Sequence, residues 1–201
     1  MATRRERLLD EGMRLFGERG YAATSVAQIE EAAGLSPGSG SLYKHFRSKQ
    51  ELLEAGLDRL LAGGDRDVPA AAGSVPAVLD AAARAGFARM EQDRDLSRLL
   101  FRGLDGFPDL LERFGRDEIA RNQRDTAALL RDLAGDGTRA RDADWPAVAA
   151  ILQAAVAHYW LLEDLFGSHP TGVSRARFIR ALVSLAAAAV ETPPRRPGRS
   201  A

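Results

Sequence analysis

The sequence predicts an all-α protein with a small N-terminal domain of three helices and a larger C-terminal helical region. Two observations lead to this prediction. Apolar residues recur at three- and four-residue spacing along most of the chain, as they do on one face of an α-helix. The breaks between these periodic stretches carry glycine, proline and capping residues, which are typical of helix ends.

Composition limits the possible functions. The 201 residues are 45% hydrophobic, enough for a substantial core, and the 28 basic and 28 acidic residues cancel, so any affinity for nucleic acid has to come from local charge. Cysteine is absent, which excludes thiolate chemistry and disulfides. The N-terminus has no apolar signal-peptide core, and the most apolar run, 147–162, is shorter than a bilayer span. We therefore expect a cytoplasmic protein without a membrane partner.

The first predicted helix covers residues 4–19, with Thr3 as its cap and Gly20 as its stop. Its first turn carries three arginines, where the helix dipole disfavours cations. These arginines either form a solvated terminus or contact phosphates; the residues are Arg4, Arg5 and Arg7.

The next stretch has the organisation of a helix-turn-helix DNA reader. Ser25 and Gln28 form a capping box for a second helix that ends at Gly34. After the turn, a third helix is predicted over 39–46, with Leu42 and Phe46 facing inward. Its other sides carry donors suited to phosphates and base edges, namely Ser39, Ser41, Tyr43, Lys44 and His45.

A fourth helix, predicted over 48–61, begins with a second capping box at Ser48 and Glu51. It connects the N-terminal domain to the C-terminal region. A glycine- and proline-rich loop is predicted to follow over 63–73.

The first sixty residues resemble the DNA-binding domain of the tetracycline-repressor (TetR) family of bacterial transcriptional regulators. The matching stretches are LFGERGYAATSV, IEEAAGLS and LYKHFRSKQELL. The resemblance covers about the first third of the chain. It implies an all-helical homodimer with N-terminal helices for DNA, a helical C-terminal domain for a ligand, and usually repression that a small molecule relieves.

The resemblance also implies particular DNA contacts. The phosphate contacts before the second helix fall on Thr24 and Ser25, and the phosphate-binding lysine falls on Lys49. Together with the recognition segment, the predicted DNA-binding set is Thr24, Ser25, Ser39, Ser41, Tyr43, Lys44, His45 and Lys49. One departure stands out, because the segment PGSGS before Leu42 is longer than the family's common spacing. Either the turn is longer or the recognition helix begins later.

The C-terminal region contains candidates for an effector cavity. Helices are predicted over 75–92, 96–104 and 108–134, with Gly115 a possible break in the last. Pockets are mostly apolar with a few polar groups, and two polar residues lie on an otherwise apolar stripe here. The candidate lining residues are Phe87, Met90, Phe101, Phe107, Asn122 and Thr126. The alternative is that these side chains simply form the core.

The last two predicted helices, 145–166 and a final one capped by Ser174, are apolar on two faces each. One side of a small domain does not bury that much apolar surface. The simplest partner is a second copy, joined in a four-helix interface. The predicted interface residues are Ile151, Ala155, His158, Leu162, Phe178, Leu182 and Leu185.

The sequence thus predicts a DNA-binding domain over 1–47, an effector-binding and dimerisation domain over 48–192 and a disordered tail over 193–201. The predicted function is repression from a near-palindromic operator, by a homodimer that a small, largely apolar effector releases, without a cofactor or metal. An enzyme is disfavoured, since three histidines, no cysteine and no catalytic motif are available. A helical sensor that never touches DNA is the other alternative. A steep salt dependence of duplex DNA binding distinguishes the two.

Overall fold

The computed structural model of the protein describes residues 2–62, 73–102, 106–136 and 142–191. Every regular element among these residues is helical, so the predicted all-α class is confirmed. The predicted tail at 193–201 and most of the loop at 63–73 lie outside the described residues. The helices are α1 (Arg4–Arg19), α2 (Val26–Ala32), α3 (Lys49–Ala62), α4 (Val75–Gln92), α5 (Arg94–Arg102), α6 (Pro108–Phe114), α7 (Ala120–Ala134), α8 (Trp145–Phe166) and α9 (Arg175–Glu191).

Contacts divide the chain into two units. Unit 1 contains residues 1–65 and 92–118, and unit 2 contains residues 66–91 and 119–201. Helices α5 and α6 therefore pack with the N-terminal helices, and α1 packs against α5 as well as against α2 and α3. The predicted boundary after residue 47 divides the chain by expected function, whereas the two units are defined by contacts. The boundary therefore stays a prediction.

Local capping explains where the helices of unit 1 begin. The Thr3 hydroxyl accepts the Glu6 N–H at 3.2 Å, while the Glu6 carboxylate accepts the Thr3 N–H at 2.7 Å. Ser25 and Gln28 form the same reciprocal box at the start of α2. Both boxes satisfy amides that the first helical turn leaves unpaired. The core beneath these helices includes Leu8, Phe16, Ile29, Leu42, Phe46, Leu52 and Leu99.

The third predicted helix is different in the structure. In place of a helix over 39–46 there is one turn of 3-10 helix, Leu42–Lys44. Gly38 and Gly40 both have φ of +71°, which a right-handed helix does not allow. The residues 36–41 are therefore a longer turn, and the helical segment begins later as well. Both alternatives left by the PGSGS segment apply.

Unit 2 is built from α4, α7, α8 and α9. Helix α7 packs along α8 and contacts α9. One cluster surrounds Trp145 and Leu130, and a second joins Phe87 of α4 to Tyr159 and Trp160 of α8 and Ile179 of α9. The predicted break at Gly115 is also present, because a π-helical turn over Gly115–Ile119 separates α6 from α7.

Arg175, the first residue of α9, connects three helices of unit 2. Its guanidinium lies 4.8 Å from the centre of the Phe87 ring on α4. It donates to Glu91 at 2.9 Å and to Glu163 of α8 at 2.8 Å. The Tyr159 hydroxyl contacts the same Glu163 carboxylate at 3.2 Å and donates to the Val173 carbonyl at 2.7 Å. Charge-assisted bonds and aromatic packing thus fix the start of α9.

Helix α8 is longer than the apolar run that predicts it. It has 22 residues, and by length and composition alone it could cross a membrane. Only Trp145, Ala149, Tyr159 and Trp160 of this helix are buried. Ile151, Leu165 and Phe166 are exposed, so part of the apolar surface of α8 is not covered by its own chain.

Candidate DNA-recognition site

The reading turn, which we define as residues 36–46, is anchored in the core by two apolar side chains. Leu42 and Phe46 are almost completely buried in the core of unit 1. The Arg5 guanidinium lies over the outer face of Phe46, 4.8 Å from the ring centre. The turn is thus attached to α1 and α2 although it contains little helix.

Between these anchors the turn presents polar groups. Tyr43 is 58% exposed, and Lys44 is exposed beside it. Ser39 is exposed and Ser41 partly so, with their hydroxyls 2.8 Å apart, while His45 is half-buried. The structure therefore brings together five predicted contacts on one short segment. A phenol, an ammonium, hydroxyls and an imidazole are all able to bind phosphates or base edges.

Two of the predicted DNA contacts have another placement. The Thr24 side chain is only 1% exposed, and its hydroxyl donates towards the carbonyls of Gly20 at 2.9 Å and Leu15 at 3.2 Å. This side chain closes the turn between α1 and α2 and is not accessible to a phosphate. Ser25, next to it, is exposed while capping α2.

Lys49 is the second predicted DNA contact whose side chain has a different placement. Its ammonium donates to the carbonyls of Tyr21 at 2.8 Å and Thr24 at 2.7 Å, and lies 4.0 Å from the centre of the Tyr21 ring. Burial lowers the pKa of Lys49, whereas the carbonyls and the ring face favour its charged form. Lys49 thus connects the start of α3 to the segment that leads into α2.

A comparison of the only two lysines tests this role. Lys49→Met should lower the free energy of unfolding by about 1–2 kcal/mol, because the two carbonyls lose a charged donor. Lys44→Met is the matched control, and we expect a change within about 0.5 kcal/mol since Lys44 is exposed. Urea unfolding followed by circular dichroism measures both. Equal stability of the two variants would show that the bonds from Lys49 to the two carbonyls do not stabilise the fold.

Glu30 is a functional candidate that the sequence reasoning missed. It is buried on α2, and its Oε1 accepts the Leu42 N–H at 2.9 Å. The available signal was its spacing, four residues after Val26 and three before Ala33, which places a carboxylate on the apolar stripe of α2. Its contact with the reading turn makes it part of the site.

The predicted effector residues do not form one cluster within either unit. Phe101 and Phe107 belong to unit 1, where Phe107 packs edge-on against Tyr21 with ring centres 4.6 Å apart. The other four candidates, Phe87, Met90, Asn122 and Thr126, belong to unit 2. Phe87 is buried in its core, and Asn122 is exposed. Thr126 accepts a hydrogen bond from Gln153 at 3.1 Å.

Three of the seven predicted dimer residues are exposed, and the other four are half-buried. Ile151 on α8 is 67% exposed and Leu185 on α9 is 72% exposed. His158 is exposed, and Ala155, Leu162 and Leu182 are half-buried. Phe178 and Leu182 pack against the core of unit 2, where the Phe178 ring stacks on Tyr159 with centres 4.4 Å apart. Leu165 and Phe166 extend the exposed apolar surface of α8.

Comparison with known proteins agrees with this geometry. Residues 8–55 match the model of the tetR family of bacterial regulatory proteins. The transcriptional repressor KstR2 of Rhodococcus jostii is 45% identical over 82 residues, 39% of each chain. The repressor ComR of Escherichia coli is 42% identical over 57 residues, 28% of this chain and 26% of its own. These matches span well under half the length of the relatives.

The fold comparison extends further along the chain. The crystal structure of a TetR-like transcriptional regulator from a Rhodococcus species superposes with a TM-score of 0.68 at 21% identity, covering 96% of this chain and 98% of that one. Such a likeness shows the fold. A capped helix followed by a turn with exposed polar side chains is the arrangement of a helix-turn-helix DNA-binding motif. The family match adds that residues 8–55 are similar to the tetR family of bacterial regulatory proteins.

Proposed function

We propose that this protein is a cytoplasmic transcriptional repressor that binds a near-palindromic operator as a homodimer and is released by a small, largely apolar effector. The observation that carries the proposal is the reading turn, where Tyr43 and Lys44 project outward beside the buried Leu42. The proposed contacts are Ser25, Ser39, Ser41, Tyr43, Lys44 and His45. Thr24 and Lys49 stabilise the backbone near these contacts through bonds to main-chain carbonyls.

The exposed apolar faces of α8 and α9 support the homodimer. A homodimer joined through these helices carries two reading turns, one from each copy. On B-form DNA, successive major grooves on the same side lie about 34–36 Å apart. A two-fold symmetric protein requires a site of matching symmetry, which is the reason for proposing a near-palindrome.

Selection from random duplex DNA tests the proposal directly. We expect an enriched sequence with inverted half-sites, and binding that weakens steeply as salt rises. Recovery of no enriched sequence, together with weak salt dependence, would favour the alternative of a helical sensor that does not bind DNA.

Substitutions in the reading turn separate sequence reading from phosphate binding. Tyr43→Ala should weaken binding to the selected duplex by about tenfold or more, because an exposed donor next to the anchored Leu42 is lost. Lys44→Ala should weaken binding to all sequences and reduce the salt slope by about one. Fluorescence anisotropy at several salt concentrations measures both effects. Wild-type affinity in both variants would remove the reading turn from the interface.

Tryptophan fluorescence is suited to a search for the effector. Trp145 and Trp160 are the only tryptophans, and both are buried in unit 2. Candidate apolar molecules are titrated into the protein while fluorescence and melting temperature are recorded. To release DNA, an effector must bind the two states of the protein with affinities that differ by about 1–3 kcal/mol. Asn122→Leu then tests one lining residue, and unchanged affinity would exclude it.

A further inference from the structure

Glu30 lies beneath the reading turn with an unusual set of surroundings. The residue is 0% exposed. Its Oε1 accepts the Leu42 N–H at 2.9 Å, while Oε2 has no hydrogen-bond partner among the described residues. Burying a carboxylate oxygen without a partner destabilises a fold. Stability alone therefore does not account for an acid at this position.

The Leu42 amide has a specific need for an acceptor. The first amides of a helical turn have no partner inside that turn, and a buried amide without an acceptor destabilises the fold. Ser41, which precedes Leu42, makes no side-chain bond that caps this turn. The acceptor for Leu42 comes from Glu30, a residue of the preceding helix.

The bond between Glu30 and Leu42 joins two parts of the turn that are held in different ways. Residues 36–41 contain Gly38 and Gly40 in the left-handed region, and glycine restricts the backbone less than other residues do. From Leu42 onward the buried Leu42 and Phe46 side chains hold the chain. The Glu30 bond lies at the junction, immediately before the exposed Tyr43.

We propose that Glu30 is a positioning residue for DNA recognition, which caps the reading turn from α2 and so sets the direction in which Tyr43 and Lys44 project. The proposal rests on the proposed function, since it concerns how the turn meets DNA. Helix α2 is a firm base for this role, because its own start is fixed by the Ser25 capping box. The longer PGSGS turn is thus compensated by an acceptor outside it.

Three variants of the full-length protein test the proposal. Glu30→Met keeps the shape of the side chain without an acceptor, and Glu30→Gln keeps one acceptor without the charge. Glu31→Met, at the exposed neighbouring position, makes the same change of charge and is the control. Circular dichroism first establishes that each variant is helical.

The first measurement needs no DNA. Hydrogen exchange of the Leu42 amide, followed by NMR, should accelerate about tenfold in Glu30→Met, as expected for the loss of one hydrogen bond. Exchange should stay within about twofold of wild type in Glu30→Gln and Glu31→Met. An unchanged rate in a folded Glu30→Met protein would show that the carboxylate does not hold the turn.

The second measurement compares the duplex obtained by selection with a scrambled duplex of equal length. We expect Glu30→Met to reduce the ratio of the two affinities about tenfold, while Glu30→Gln and Glu31→Met retain it. An unchanged ratio in Glu30→Met, with wild type preferring the selected duplex, would overturn the positioning role alone. A wild-type protein without preference would overturn the proposed function too, while amide exchange still reports separately on the Glu30 bond.

Discussion

Leu185→Asp is expected to convert the protein from a dimer into a monomer and to weaken operator binding by about a hundredfold or more. The Leu185 side chain is 72% exposed on α9, so its replacement removes little from the core of one chain. In the proposed interface, the same position places a charge against apolar surface of the second copy. Loss of the dimer removes the gain from engaging two half-sites at once.

Light scattering after size-exclusion chromatography measures the mass, and fluorescence anisotropy measures DNA affinity. Ser184→Asp is the matched control, because it adds the same charge at the exposed adjacent residue of α9. We expect the control to remain dimeric. A monomeric wild-type protein, or a dimeric Leu185→Asp variant, would show that this face does not join two copies.

Gly17→Ala is expected to destabilise the protein by about 1–3 kcal/mol. A Cβ atom at this position of α1 would lie 2.6 Å from the carbonyl oxygen and 2.9 Å from the Cα of Asp95 on α5. Both neighbours are backbone atoms, so relief requires the two helices to separate. The buried Leu96 and Leu99 of α5 would then lose contact with the core of unit 1.

Gly86→Ala in α4 is the corresponding control. A Cβ atom there meets Val156 at an ordinary 3.5 Å, and alanine restricts the unfolded chain more than glycine does. We therefore expect stabilisation by about 0.5–1 kcal/mol. Thermal and urea unfolding measure both variants, and a Gly17→Ala protein as stable as wild type would exclude the close approach of α1 and α5.

Features set by nearby residues were predictable from the sequence. Helices α1, α4 and α8 begin and end as expected, because capping residues and apolar periodicity act within a few positions of each other. The buried positions of Leu42 and Phe46 follow from the same spacing. The family resemblance located the exposed Tyr43 and Lys44.

Features that depend on distant residues were not predictable in this way. Lys49 and Thr24 are 25 positions apart, and Glu30 and Leu42 are 12 apart, so no local pattern reveals these bonds. The resemblance implies phosphate contacts for Thr24 and Lys49, but it gives no sign that their side chains donate to backbone carbonyls. The packing of α5 and α6 with unit 1 likewise depends on tertiary contacts.

The sparse burial of α8 has a consequence for how the protein behaves at low concentration. Only four residues of this 22-residue helix are buried by its own chain. Where a partner completes the packing, the folded state gains stability by mass action, and the melting temperature rises with protein concentration. A cell that makes few copies of such a protein would hold a larger fraction of it as free chains with an uncovered apolar helix. Because cells degrade unfolded chains, a lower supply of the protein would then also shorten its lifetime.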